Sequence, residues 1–535
     1  MKQITIKHIT LSALAAMALG FSGCEVPIEE IVEKIESHIP ADEKILPPTK
    51  YVETLIKIGS YETGVEGGSE IVAYDTTSQR MFTTNGATNQ IDIIDISKAK
   101  APALISHIDL SPYGTGVNSV AVKDGKVAVA VETKRNDGLH TSEKGQVVLF
   151  DMDGNFIQKV TVGYLPDMLT FNEEGTKIVV ANEGEPNGDY SVDPIGSIGI
   201  VTLSDNSYVD VNFTAITLSP ASDGLNVRLG ETPSNDQAKD LEPEYIAVKG
   251  DYAYVTLQEN NAMAKLNLKT NTLEYVKSYG AKSWEAESGN TLDIEEEGEI
   301  IMKSYKGLFG LYMPDSIAAY SVDNKTYLVT ANEGDGREYP IDDVNSSLET
   351  GDILNDEKKI KKLTLDESIA SEYEDENDLK VVIDLGDTDG DGDYDKLYAY
   401  GARSFSIWDE EGDLVFDSGD DIGKQVALNE PDLFNQSKGE MDGRSGNKGA
   451  EPEALALGEI DGQTYAFIGL ERQSAIMIYN ITDPKAPSFV KYIKGEGATA
   501  PEGMKFVPAS EGTKNLLLVS YEGNGETIVY EVLTK

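Results

Sequence analysis

Nine consecutive residues, Asp387 to Asp395 (DTDGDGDYD), carry carboxylates at alternate positions: Asp387, Asp389, Asp391, Asp393 and Asp395. Alternating carboxylates on a glycine-turned loop match the first half of a calcium loop, whose hard oxygen ligands suit Ca²⁺. The closing bidentate glutamate is missing, because the twelfth position of that frame is Tyr398. An EF-hand is therefore excluded, and an ion here needs a ligand from elsewhere or from Asp395 itself. The expected role is to brace the loop entering LYAYGARSFSIWD, and the alternative is a solvated acidic turn. Calcium is the cofactor this motif calls for; no organic cofactor is expected.

A second set of carboxylates is spread along the chain. Apolar strands end at an acid in VAVAVETK (Glu132), IVVANEGEP (Glu183), AYVTLQEN (Glu259), YLVTANEGDGREY (Glu333), YAFIGLERQ (Glu471) and LLLVSYEGN (Glu522). Upstream of most copies, a proline and an acid open another apolar strand: LPDMLTF (Asp167), LEPEYIAV (Glu244), MPDSIAAY (Asp315), AEPEALAL (Glu453) and APEGMKF (Glu502). Carboxylates gathered at close range repel and raise one another's pKa, so such a ring needs cations, arginines or water. Arg337 follows Glu333, Arg472 follows Glu471, and Arg403 and Arg444 lie near the fifth and sixth repeats. Arginine among carboxylates is either a structural ion pair or a bidentate phosphate ligand. Any single acid at a turn can instead serve as a cap for neighbouring backbone N–H groups.

The elements that would position these residues are short strands. From Tyr51 onward, runs rich in Val, Ile, Tyr and Thr alternate with Gly, Asn, Asp and Pro, and long helical periodicity is absent. The pattern resolves into seven units of three or four strands at roughly 45-residue spacing, the size of a propeller blade. The expected fold is all-β, a seven-bladed β-propeller with acidic surface insertions, closed by Tyr51 to Ile58 pairing with the last blade. In a propeller the loop entering each innermost strand and the loop between second and third strands share one face. Asp167, Glu244, Asp315, Glu453 and Glu502 should then converge with Glu183, Glu259, Glu333 and Glu471 on an acidic face near the channel mouth. The fifth unit begins at IAAYSVDNKTYLVTANE and resumes at LYAYGARSFSIWD. Polar stretches at about 281–314 and 340–380 are expected to be surface loops, the latter with a helix around Glu367 to Glu374.

With 93 acidic and 45 basic residues the chain carries a formal charge of -48. Nucleic acid and anionic membrane surfaces are poor partners for such a chain, and divalent cations are natural ones. Residues 1–23 place Lys2 and Lys7 before an apolar run and end in Phe21-Ser22-Gly23, the build of an export signal. The small residues before Cys24 resemble the lipobox of bacterial lipoproteins, which implies a lipidated Cys24 as the mature N-terminus. The alternative is an ordinary signal with an idle thiol. Residues 24–50 are charged and proline-containing, as a tether would be, with the propeller over 51–535. The expected location is the bacterial cell envelope, lipid-anchored, with the outer membrane favoured because Glu25 is not the Asp that marks inner-membrane retention. As the sole cysteine, Cys24 excludes an intrachain disulfide. Four histidines leave little material for a zinc site or a Ser-His-Asp triad, and no G-x-x-x-x-G-K-[ST] loop occurs.

The segments SEIVAYD, LPDMLTF, VANEGEPNGDY, DLEPEYIAV, YVTLQENNA, YLVTANEGDGREY, LYAYGARSFSIWD, LVFDSGD, EPEALALG, YAFIGLER and PEGMKF resemble those of the choice-of-anchor I family of exported proteins. The resemblance runs from about Ser69 to Val532 and implies a surface-displayed propeller whose members attach by different anchors. Relatives in that family carry cell-surface glycoprotein or alkaline phosphatase labels, and the resemblance brings no catalytic residue with it. Two functions stay open. One is a calcium-braced envelope propeller that binds an extracytoplasmic ligand or protein through its acidic face. The other is a metal-dependent phosphoesterase, phosphatase- or phytase-like, in which Glu183, Glu244, Glu333 and Glu453 hold ions and Arg337, Arg403 and Arg472 bind phosphate.

Overall fold

The structure is a computed structural model and describes residues 51–133, 143–186, 190, 192–230, 236–340, 353–373, 379–510 and 512–535. Residues 1–50, with the expected leader, Cys24 and the expected tether, lie outside the described residues.

Runs such as VAVAV, IVVA and LLLVS are apolar at consecutive positions, so strands built from them must bury both faces. They do so as the second strands of small antiparallel sheets stacked face to face. Among the described residues, seven sheets each hold four neighbouring antiparallel strands. The first runs Val72–Asp75, Arg80–Asn85, Gln90–Asp95 and Ala103–Asp109, and the second starts at Gly116–Lys123. The third starts at Pro166–Phe171, the fourth at Ile246–Lys249, the fifth at Ile317–Val322, the sixth at Pro452–Ile460 and the seventh at Pro501–Val507. These opening strands contact one another in order, and the opening strand of the seventh sheet contacts that of the first. The arrangement is all-β and propeller-like.

Apolar cores fill the spaces between successive sheets. Val129 and Ile93 meet between the first and second, Val180 and Leu149 between the second and third, and Val179 and Val255 between the third and fourth. The series continues through Tyr254 with Trp408, Phe405 with Ile468, and Phe467 with Val519, and ends where Leu518 and Val529 pack on Met81 and Ile94. Fully burying one such side chain stabilises by about 1.5–3 kcal/mol, which makes these interleaved layers the main support of the fold. Val52–Glu62 completes the seventh sheet by pairing antiparallel with Glu526–Thr534, from Val52 against Thr534 to Glu62 against Glu526.

The polar stretch at 281–314 differs from the loops expected there. Ala281–Ser283, Leu308–Leu311, Leu397–Ala399, Lys380–Val382 and Glu357–Lys359 form an inserted five-stranded sheet. It has its own core of Trp284, Leu292, Ile294, Tyr305, Leu308, Ile369 and Tyr373. LYA at Leu397–Ala399 therefore belongs to this sheet, parallel to Leu308–Leu311, and the fifth propeller sheet resumes only at Ser404–Asp409. The helix expected near Glu367 is one turn, Glu367–Ala370, with Asp366 capping it by accepting from the Ser368 N–H at 2.8 Å.

Candidate functional site

The proline-acid pattern is a repeated β-bulge. In the first sheet the Glu70 N–H donates to the Thr84 carbonyl while the Thr84 N–H donates to the Ile71 carbonyl, so two residues oppose one. The same exchange links Glu244 and Tyr245 to Thr256, and Asp315 and Ser316 to Ala331. Pairing slips likewise at Val117/Ser119, Pro166/Leu169, Pro452/Leu455 and Pro501/Met504. A bulge re-aims the side chain it carries, here toward a common mouth. Leu165, Met313, Glu451 and Ala500, each just before the proline, have φ of 46°, 39°, 53° and 60°. A left-handed residue costs about 1–2 kcal/mol without glycine. What holds it is a bond to the strand-end loop: the carbonyls of Leu165, Glu451 and Ala500 accept from the N–H groups of Glu183, Glu471 and Glu522 at 2.8–2.9 Å, and that of Met313 accepts from Gly334 at 3.1 Å. The two acidic patterns are thus one structural unit.

Asp167, Glu183, Glu244, Glu259, Asp315, Glu453 and Glu502 all line one cavity of about 640 Å³, together with Glu70, Glu132, Asp335 and Glu522. Among the described residues lining it, none is Lys or Arg. The sequence reading missed Glu70, which stands at the bulge of the first sheet without a preceding proline; its place ahead of IVAYD is the signal that would have found it. In the second sheet the equivalent position is Asn118, which donates to the Pro166 carbonyl at 3.1 Å.

Burial pushes several of these carboxyls up, and for most of those the neighbouring carboxylates add to it. Asp167 is raised to about 7 by burial and then by Glu132, and Glu502 to about 7 by burial and then by Glu522. Glu183, Glu244, Asp315 and Glu453 lie well above the usual range, with burial again the largest cause. Glu259 is the charged neighbour that acts most on Glu244, and Glu502 the one that acts most on Glu453, so each pair resists carrying two negative charges at once. Glu244 is 8% exposed, and its Oε1 has no hydrogen-bond partner; the same is true of Glu259 Oε2 and Glu453 Oε2. An orphaned buried oxygen costs about 1–3 kcal/mol, or more if charged.

Glu333 and Glu471 leave the mouth and join a second, mixed-charge cluster. Glu333 accepts from Lys448 at 2.7 Å and from Gln258 at 3.0 Å. Glu451, fully buried and also missed in the sequence, accepts from Arg444 Nε at 2.6 Å and Arg472 Nε at 2.8 Å. Burial alone would raise its carboxyl, but Lys448 and Arg444 outweigh that and hold it at about 2. Burial and adjacent Glu451 instead push Glu471 up to about 9. This cluster borders a cavity of about 230 Å³ lined by Arg337, Lys380, Arg444, Lys448 and Arg472 with Asp335, Asp356, Glu357 and Tyr400. Arg337 and Arg472 reach this cavity; Arg403 does not. Arg403 donates to the carbonyls of Asp293, Ser445 and Asn447 at 2.6–2.9 Å, which corrects its reading as a phosphate ligand. It is a positioning residue for the loop that carries Arg444 and Lys448.

The aspartate loop joins two strands of the inserted sheet, far in sequence from the mouth's residues. Asp387 accepts from the N–H groups of Gly390 and Gly392 at 2.7 and 3.0 Å, and Asp395 from Thr388 N and Oγ1 at 2.8 and 2.6 Å. Carboxylate oxygens of Asp387, Asp389 and Asp395 lie within 4.8 Å of one another, as do those of Asp366, Asp393 and Asp395. Asp366 is therefore available as the ligand from elsewhere that the motif lacks. Asp391 belongs to neither group and raises Asp389 by its charge.

Fold and site together define a propeller-like all-β protein with a carboxylate-lined mouth. The chain belongs to the choice-of-anchor I family, whose domain model matches residues 70–484. It is 37% identical over 98 residues to Gigasin-3a of Magallana gigas, covering 17% of this chain and 34% of that protein. It is 26% identical over 291 residues to the mesenchyme-specific cell surface glycoprotein of Strongylocentrotus purpuratus, covering 48% of this chain and 36% of that protein. The chain thus spans about a third of the length of these curated relatives. Among solved structures, the β-propeller domain of Cps50 (Swd1) from Myceliophteria thermophila superposes with a TM-score of 0.43 at 8% identity, over 90% of this chain and 100% of that one.

Proposed function

We propose that this protein is a lipid-anchored propeller of the bacterial envelope, most simply of the outer membrane, in which each of the seven sheets is a blade and the acidic mouth binds a cationic or cation-bridged extracytoplasmic ligand. The observation that carries this reading is the cavity of about 640 Å³ lined by carboxylates and by no Lys or Arg among its described residues. Partnerless buried oxygens on Glu244, Glu259 and Glu453 give an incoming cation something to satisfy. Among the described residues, the three groups of carboxylate oxygens within 4.8 Å of one another all lie outside this cavity. The mouth therefore suits hydrated cations or amino groups better than a tight ion cluster, which favours binding over the phosphoesterase reading. A separate calcium ion in the Asp387–Asp395 loop, completed by Asp366, braces the inserted sheet.

Calorimetric titration with calcium tests both parts. The parent protein should show two classes of site. Asp389→Asn with Asp391→Asn should remove the loop class and most of the calcium-dependent rise in Tm, and Glu244→Gln should weaken only the mouth class, by roughly tenfold, or about 1.4 kcal/mol. Heats unchanged by Glu244→Gln would dismiss the mouth as the binding site; an unchanged Tm response in the double variant would dismiss the loop. Anchoring is tested by fractionation. Cys24→Ser should release the protein or stop its processing, and a variant still processed and membrane-bound would end the lipoprotein reading.

A further inference from the structure

We propose that the cavity of about 230 Å³ is a binding site for a tetrahedral oxyanion such as phosphate or sulfate, and that its affinity is coupled through Lys448 and Asp335 to cation occupancy of the acidic mouth. The proposal rests on the reading of the mouth as a cation site. In a chain of formal charge -48, Arg337, Lys380, Arg444, Lys448 and Arg472 are brought around one small space with three carboxylates, Asp335, Asp356 and Glu357, the last of them paired with Lys380. They come from three separate parts of the fold: Arg337 from the loop leaving the fifth sheet, Lys380 from the inserted sheet, and the others from loops of the sixth. Arg403 fixes the backbone between Arg444 and Lys448 through the carbonyls of Ser445 and Asn447, so the donors are preorganised.

Arg444 and Arg472 hydrogen-bond to Glu451 through Nε. Arg444 Nη2 also contacts Glu451 and Arg472 Nη1 lies 3.1 Å from Glu471, but a guanidinium has five N–H donors in a planar fork, so each keeps donors beyond these pairs. Their side chains are 19% and 36% exposed, enough to meet a ligand. Tetrahedral oxyanions are matched by such forks.

The coupling follows from shared residues. Asp335 lines both cavities. Lys448 is held between Asp335 at 2.8 Å and Glu333 at 2.7 Å, and Glu333 in turn accepts from Gln258, which lines the mouth. A cation drawn to the mouth competes with Lys448 for Asp335 and frees the ammonium charge for the smaller cavity. An anion there draws Lys448 away and frees Asp335 for the cation. Linkage requires the two effects to be equal. The ligand class that satisfies both cavities at once is an anionic group, such as a phosphoryl or sulfuryl ester, accompanied by a divalent cation.

The test is titration of the full chain with sulfate and, separately, inorganic phosphate, each in chelator and in saturating magnesium. One anion should bind per chain, about tenfold tighter with magnesium, a coupling within the usual range. The relative affinities of the two anions distinguish sulfuryl from phosphoryl ligands. Arg472→Gln and Lys380→Gln, both partly exposed, should weaken anion binding severalfold while magnesium binding in the absence of anion stays unchanged. Lys448→Met should abolish the magnesium dependence. If magnesium binds alone but neither anion binds in either condition, this proposal fails and the mouth reading survives. Equal anion affinity with and without magnesium, or an unaltered affinity in both the Arg472 and Lys380 variants, overturns it as well. Absence of any magnesium binding removes the mouth reading and the proposal together.

Discussion

In chelator, the protein should be most stable near pH 5 and lose stability steadily as the pH is raised to 8. The carboxyls of the mouth have folded pKa values above their unfolded ones: about 7 for Asp167 and Glu502, and well above the usual range for Glu183, Glu244, Asp315 and Glu453. Groups raised in this way bind more protons in the folded state than in the unfolded chain. Their stabilising contribution is present at low pH and disappears as the pH rises from about 4 through the folded values. If the mouth retains two protons more than the unfolded chain, stability falls by about 2.7 kcal/mol per pH unit. Below pH 4 the sign reverses for Glu451. Its depressed pKa of about 2 gives stability above the unfolded value that is lost on acidification. Calcium should flatten the alkaline limb, because an ion bound only by the ionised mouth takes the place of the protons. Thermal melts at pH 5 to 8, in chelator and in calcium, measure this. A Tm in chelator that is level or rises with pH would falsify the picture of a strained, protonated mouth.

Arg228→Met should lower stability by about 3–5 kcal/mol, the cost of leaving buried charge without its partner. Its side chain is 1% exposed and grips Asp384 with Nε and Nη2 at 2.9 Å each, while Nη2 also reaches Asp356 at 2.5 Å. Asp356 and Asp384 flank strands of the inserted sheet, whereas Arg228 also donates through Nη1 to the Glu259 carbonyl at the mouth. The loss should therefore appear as a lower urea midpoint, with early exposure of Trp284 in the inserted core. Adding Asp356→Asn and Asp384→Leu to Arg228→Met should recover much of the loss, since removing Arg228 together with both its carboxylates is far cheaper than removing one side, and Arg337, which also pairs with Asp356, keeps Asp240 as a partner. A midpoint shift of less than 1 kcal/mol equivalent for Arg228→Met, with no recovery in the triple variant, would show that the network is solvated rather than buried.

The stacked sheets were legible because their evidence is local. Hydrophobic runs of strand length, tight turns and a repeated spacing give the strands, and antiparallel neighbours need only short connections. The convergence of Asp167, Glu244, Asp315, Glu453 and Glu502 followed from a proline that marks each bulge. Glu70 lacks that mark and was missed. The inserted sheet was illegible for a different reason: its strands are three or four residues long, and Leu308–Leu311 finds Leu397–Ala399 in parallel across a long stretch of chain. Neither periodicity nor turn chemistry signals such a pairing. Glu333 and Glu471 occupy the expected strand ends, but Lys448 and Glu451, on a loop with no repeat, decide which way they face. Arg403 shows the same limit, since its partners are backbone carbonyls, which leave no trace in residue type.

The ring is closed by its first and last strands, and the backbone of Tyr51 exchanges two hydrogen bonds of 3.0 Å with that of Lys535. This join has a consequence for the order of events in folding. Bringing ends separated by about 480 residues together costs on the order of 5–6 kcal/mol of chain entropy, and no other pairing in the seventh sheet can substitute for it. The sheets can form one after another as the chain emerges, yet the ring cannot shut until its final residues have been delivered. Non-local pairing of this kind is slow. The sheets assembled earlier therefore stay open to rearrangement until that last strand arrives.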